Sequence, residues 1–170
     1  WKPAVDTYNH NFNLNCEIKN ILDFQHIDEI EKLPNTEVII GSPPCVSFSS
    51  SNKSGNADKS LGVELTETFL KIIAIKKHQP NSILKAWFME NVANSKRYLQ
   101  TAYTFKDLGL ADWATKNRIS PLKIAIDLYD NTAIINSADY GSFQARKRLI
   151  SGEIIKKGKL IVPEKSYSNE

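Results

Sequence analysis

Cysteine is scarce in these 170 residues: Cys16 and Cys45 stand alone, with no CxxC and no paired-histidine spacing beside them. That excludes a disulfide framework and a zinc site of ordinary spacing, and a reducing, cytoplasmic setting is the expectation. No apolar run reaches the ~20 residues that span a bilayer, so no membrane partner is expected. The opening WKPAVDTYNH has neither a basic leader nor an apolar core and reads as no signal peptide. Repeats and low-complexity tracts are missing too. What is there, 41% hydrophobic and 24% charged residues, is the composition of one globular domain able to bury a core.

Charge is unevenly placed. Between Gln144 and Lys159 lie Arg146, Lys147, Arg148, Lys156, Lys157 and Lys159 against Glu153 alone, a net of +5 in a chain whose total is +3. Such a segment suits either a phosphate-rich partner or a solvated hairpin.

Hydrophobic spacing suggests a short helix over Pro3 to Asn11, with Val5 and Tyr8 on one side, and a strand at NLNCEI. HIDEIEKL reads as a helix ended by Pro34, and EVIIG as a buried strand with a glycine stop. A long polar loop, SPPCVSFSSSNKSGNADKS, precedes a helix in ELTETFLKIIAIKKHQP. ILKAWFME reads as a strand buried on both faces and ending at Glu90-Asn91. DLGLADWATKN and SPLKIAIDLY look helical, the latter with Ser120 as N-cap and Pro121 in the first turn. NTAIINSADYG and RKRLISGEII supply further strands. The alternation predicts an α/β fold whose sheet is mostly parallel, with helices on both faces.

In such a sheet the carboxyl ends of the strands line the ligand crevice. Cys45 and Glu90 each follow a predicted strand, which puts a nucleophile candidate and an acid candidate on one cleft. A thiolate is a strong nucleophile near neutral pH, and Pro43 and Pro44 stiffen the backbone before it. A free cysteine is more often a small buried hydrophobe, and Cys16 keeps that reading. Gln144, Arg146 and Arg148 alternate, so on a strand they share one face, suited to anions or carbonyl oxygens and equally to carboxylate partners on a plain surface.

Three pieces in order, GSPPCVSFS, MENV and DYGSFQARKR, resemble the DNA cytosine carbon-5 methyltransferase family. Its GxPPCQxFS loop matches Gly41 to Ser49, its Glu-Asn-Val motif Glu90 to Val92, and its DYGxPQxRxR motif Asp139 to Arg148. The resemblance implies a Rossmann-like, S-adenosylmethionine-dependent core acting on double-stranded DNA, in bacterial or phage restriction-modification machinery. Cys45 would attack carbon 6 of a flipped-out cytosine. Glu90 would contact ring nitrogen 3 and the exocyclic amine, Arg148 would hold the carbonyl oxygen, and Arg146 would support the cysteine or its loop. Carbon 5 then takes the methyl group. Ser47, Ser49, Ser50, Asn91, Val92 and Gln144 are implied contacts to the substrate or DNA. Trp1 would lie against the cofactor's adenine, Glu17 and Ile18 at its edge, and Pro43 and Pro44 at its methionine end. No metal is implied.

Val46 replaces the family's glutamine and Phe143 its proline. The glycine-rich cofactor loop, the acid for the ribose, a target recognition domain and the closing Gly-Asn motif are absent from the sequence. Residues 1–170 therefore read as a partial catalytic domain, its cofactor-loop strand expected before Trp1 and its recognition domain after Glu170. A complementary polypeptide carrying the missing motifs is one expected partner. A non-catalytic fragment that binds DNA or a partner chain, and an RNA cytosine methyltransferase of the same fold, are the alternatives.

Overall fold

The structure, a computed structural model, describes residues 1–44 and 59–166. Its helices are α1 (Lys2–Phe12), α2 (Ile27–Glu31), α3 (Lys59–His78) and α4 (Ala111–Lys116). Its strands are β1 (Val38–Gly41), β2 (Ala86–Val92), β3 (Ala102–Thr104), β4 (Ile124–Asp127), β5 (Thr132–Asn136) and β6 (Lys147–Ile154).

Helix α3 is the spine. Phe69, Leu70, Ile72, Ile73, Ala74 and Ile75 are all buried, more than one helical face supplies, because the helix is packed from two sides. Trp87, Met89 and Leu149 of the large sheet join the core, as do Tyr103, Phe105, Trp113 and Ile126 around the β3–β4 pair and α4. His78 meets the edge of Phe105 at 5.1 Å, and Phe105 stacks on Trp113 at 6.0 Å. Fully burying side chains of this size contributes roughly 1.5–3 kcal/mol each. Gly41 belongs to this packing: a Cβ there would lie 2.3 Å from the Phe69 ring, so α3 approaches β1 only where the strand has no side chain.

The large sheet has the order β1-β2-β6-β5, and only the β1–β2 pair is parallel; β6 runs antiparallel to both β2 and β5. The expected mostly parallel sheet is thus corrected to a mixed α/β fold whose sheet is mostly antiparallel. The cause is the β5–β6 connection, residues 137–146, which carries a 3-10 turn and no helix and so returns the chain antiparallel. The two faces of this sheet are unequally buried. Trp87, Met89, Asn91, Leu149, Ser151 and Glu153 are buried on the α3 side. On the other side Ala86, Phe88, Glu90, Val92, Arg148 and Ile150 are half-buried. β2, expected to be buried on both faces, therefore alternates. β1 is also less buried than EVIIG suggested, with Val38 49% and Ile40 75% exposed, because β2 is its one ladder partner among the described residues.

Helix α1 forms as read, with a proline in its first turn and Asn13 closing it at φ 51°. None of its side chains is buried. NLNCEI makes no strand; instead the Asn9 amide accepts the Cys16 N–H at 2.7 Å and donates to the Cys16 carbonyl at 3.1 Å, replacing a ladder with one side chain. SPLKIAIDLY is a turn and then β4, not a helix, because Ile126 and Ala125 find buried sites beside β3. Ser120 does cap a backbone N–H, that of Leu122 at 3.3 Å, but in a local turn.

Candidate active site

β1 and β2 run side by side with Gly41 opposite Met89, so the residues that leave β1 meet the last residues of β2. The Ser42 hydroxyl donates to Glu90 Oε2 at 2.6 Å. One residue on, Asn91 Nδ2 donates to the buried Pro43 carbonyl at 3.3 Å, while Asn91 Oδ1 accepts the Val92 N–H at 2.8 Å. From the other flank β6 brings Arg148 opposite Val92, on the same sheet face as Glu90. Arg148 Nε lies 2.8 Å from Glu90 Oε1, and Arg148 Nη1 donates to the Lys147 carbonyl at 2.8 Å. Glu90, its side chain 40% exposed, is thus gripped at both carboxylate oxygens, and Arg148, its side chain 22% exposed, uses two of its five N–H donors in these bonds among the described residues. Side by side, a carboxylate that accepts and a guanidinium that donates suit a planar ligand edge bearing both an amine and a carbonyl.

The DYGSFQARKR segment arrives by a tight turn. Gly141 takes φ 89°, Ser137 N–H donates to the Arg146 carbonyl at 3.1 Å, and the Ser137 hydroxyl donates to the Gln144 carbonyl at 2.6 Å. Gln144 and Arg146 are exposed and precede β6, which begins at Lys147. The shared strand face expected for Gln144, Arg146 and Arg148 is corrected accordingly: Arg148 alone is on the strand. The basic segment is also divided. Arg146 to Arg148 stand at the start of β6, whereas Lys156, Lys157 and Lys159 follow its end, about 25 Å away along an extended strand.

Trp1 is 85% exposed and lines a shallow hollow with Tyr8 and Phe12, of about 370 Å³. Glu17 pairs with Lys19 at 3.3 Å and lines a different hollow, with Asn15, Glu29 and Pro34. Ile18 is exposed, Pro43 is buried, and Pro44 is exposed. Trp1 and Glu17 thus line two separate hollows. Cys45, Ser47, Ser49 and Ser50 lie outside the described residues. Among those described, no cluster of His, Cys, Asp and Glu is placed to hold a metal ion, and no helix is long and apolar enough to cross a membrane. Ser42 was not singled out from the sequence; its signal is a hydroxyl between a strand and two prolines, beside a strand-end acid.

The profile of the family described as C-5 cytosine-specific DNA methylase matches residues 1–167. Type II methyltransferase M.HgiGI of Herpetosiphon aurantiacus is 39% identical over 101 residues, 56% of this chain and 70% of that protein. M.HgiDI of the same organism is 35% identical over 98 residues, 56% of this chain and 28% of that protein. M.HindV of Haemophilus influenzae is 33% identical over 102 residues, 57% of this chain and 29% of that protein. In fold the chain is similar to the solved Entamoeba histolytica methyltransferase EhMeth, with a TM-score of 0.55 and 20% identity, covering 98% of this chain and 46% of that one.

Proposed function

Since this chain belongs to the C-5 cytosine-specific DNA methylase family, we propose that it moves a methyl group from S-adenosylmethionine to carbon 5 of a flipped-out cytosine in duplex DNA. The named type II relatives favour a restriction-modification role, and a cytoplasmic, bacterial or phage-encoded setting belongs to the same reading. The observation that carries it is the meeting of Ser42, Pro43, Glu90, Asn91 and Arg148 where three neighbouring strands, β1, β2 and β6, come together.

The division of labour follows from the side chains. The Cys45 thiolate adds to carbon 6, placing an electron pair on the ring. Glu90 hydrogen-bonds the ring nitrogen 3 and amine edge, which favours protonation there as the thiolate adds. Arg148, already beside Glu90, has N–H donors left for the carbonyl at position 2. Arg146 supports the cysteine loop, and Ser47, Ser49, Ser50, Val92 and Gln144 contact the substrate. After methyl transfer carbon 5 gives its proton to solvent, and the electrons of that C–H bond restore the 5,6 double bond as the thiolate leaves with the C–S pair. Trp1, Glu17, Ile18, Pro43 and Pro44 are the residues that would hold the methyl donor in this reading.

Further polypeptide completes the fold in this reading. β1 has one open edge among the described residues, and its Val38 and Ile40 are exposed. The stretch shared with M.HgiDI and M.HindV is less than a third of each. The missing share comes from the same chain or from a complementary one.

Covalent trapping tests the proposal. The protein, alone and with the segments its longer relatives carry, is mixed with S-adenosylmethionine and duplex DNA holding 5-fluorocytosine. Fluorine does not leave as a cation, so a denaturation-resistant adduct mapping to Cys45, and lost in Cys45→Ser, is the expected result. No adduct from either mixture on DNA containing the cognate site overturns the reading.

A further inference from the structure

We propose that Ser42 is a positioning residue: its hydroxyl aims the Glu90 carboxylate and ties that aim to the backbone leading into Cys45. This rests on the role proposed above for Glu90. A carboxylate held at one oxygen still lets its side chain exchange rotamers; held at both it does not. Arg148 Nε holds Oε1 at 2.8 Å and the Ser42 hydroxyl holds Oε2 at 2.6 Å. The serine sits immediately after β1, and the next residue, Pro43, is tied through its carbonyl to Asn91. Residues 42 and 43 are therefore bound in step to residues 90 and 91, one side-chain bond to each.

Stability does not account for the serine. Ser42 is exposed and the Glu90 side chain is 40% exposed, a setting in which a single polar contact adds little to folding. What the contact does fix is direction. Between Ser42 and Cys45 lie only Pro43 and Pro44, whose φ angles are locked near −65° by their rings. Two of the backbone rotations that could absorb a shift at Ser42 are therefore removed. One hydroxyl thus joins the acid to the chain that leads to the nucleophile, and small misalignments of reacting groups are costly, about 100-fold for roughly 1 Å.

The test compares wild type, Ser42→Ala and Ser42→Thr in the same trapping reaction, following single-turnover adduct formation at saturating DNA. DNA affinity and thermal midpoint are measured alongside. Ser42→Ala is expected to slow adduct formation about tenfold or more, with affinity and midpoint unchanged, while Ser42→Thr, which keeps the hydroxyl, restores most of the rate. A wild-type rate in Ser42→Ala, a loss explained by weaker DNA binding or a lower midpoint, or equal loss in Ser42→Thr overturns the inference. NMR of Glu90 side-chain scalar couplings in the chain itself supplies a readout independent of turnover. One rotamer in wild type and Ser42→Thr, with averaging in Ser42→Ala, is expected; averaging in wild type overturns the role of Ser42. Absence of any wild-type adduct instead overturns the reading of Glu90 on which the inference rests.

Discussion

Replacing Gly152 by alanine probes the pair of strands that sets Glu90 beside Arg148. Gly152 lies opposite Phe88 in the β2–β6 ladder, two residues before Glu90. A Cβ at Gly152 would stand 2.5 Å from the Trp87 carbonyl oxygen, 2.7 Å from Phe88 Cδ1 and 3.3 Å from Phe88 Cα. The half-buried Phe88 ring can swing aside. The carbonyl belongs to the sheet backbone and must retreat by about 0.9 Å to reach ordinary contact at 3.4 Å. Overpacking of this kind costs ~1–3 kcal/mol, and weakening a ladder hydrogen bond adds ~1 kcal/mol. A total near 3 kcal/mol corresponds, at a urea dependence of ~2 kcal/mol per molar, to a midpoint lowered by about 1.5 M. Gly158 is the control, since a Cβ there meets nothing within 4 Å and its φ of +66° is the only obstacle. Gly158→Ala should cost ~1 kcal/mol, or about 0.5 M. Urea unfolding followed by circular dichroism decides it. Gly152→Ala unfolding no earlier than Gly158→Ala would refute the steric argument and mean that the β2–β6 ladder yields.

Two other perturbations test the interior. Lys77 Nζ meets Glu153 Oε2 at 2.6 Å, both side chains less than one-fifth exposed, with the Trp87 indole N–H 3.4 Å from the same oxygen. Lys77→Met strands that carboxylate and should destabilise by about 3 kcal/mol, whereas Lys77→Met with Glu153→Leu should recover most of the loss; equal stability of the single variant and wild type in urea refutes this. Burial holds the His78 imidazole below its usual pKa of 6.5, with Lys77 and Lys123 adding to the effect and the Ala125 carbonyl and Glu153 opposing it. Its folded pKa is depressed, so the stability it contributes is full above 6.5 and is lost as pH falls through the lower folded value. A C2-proton titration of His78 with a midpoint at or above 6.5 contradicts this; otherwise His78→Phe should flatten the acid limb of the melting profile.

The large elements were legible where local signals agreed with tertiary burial. Pro3 to Asn11 falls within α1, the apolar run from Phe69 to Ile75 gives α3, and Glu90 lies near the end of β2 as expected. Strand direction was not legible, because periodicity reports which face a side chain takes and says nothing of which way a neighbour runs. Ile124 to Asp127 failed for a related reason: their strand exists through pairing with Ala102 to Thr104, some twenty residues away. For the site, the motif residues Glu90, Asn91 and Arg148 were readable as types, and their meeting follows from the parallel β1–β2 pair and the β2–β6 register. Ser42 escaped because a hydroxyl next to prolines has many ordinary uses, and only geometry shows it reaching the acid. Trp1 and Glu17 were likewise matched by order along the chain, which carries no information about the two separate hollows they line.

The placement of the three tryptophans has a practical result. Trp87 is fully enclosed and Trp113 nearly so, while Trp1 stands in solvent at the head of a helix that buries nothing. Their fluorescence separates into two reporters without any label. A blue component shielded from iodide follows the integrity of the core, and a red, quenchable component follows whatever comes to rest on α1. Titrating in a candidate completing segment and watching which component moves would distinguish docking on the first helix from repacking of the interior, in one cuvette and with the native sequence.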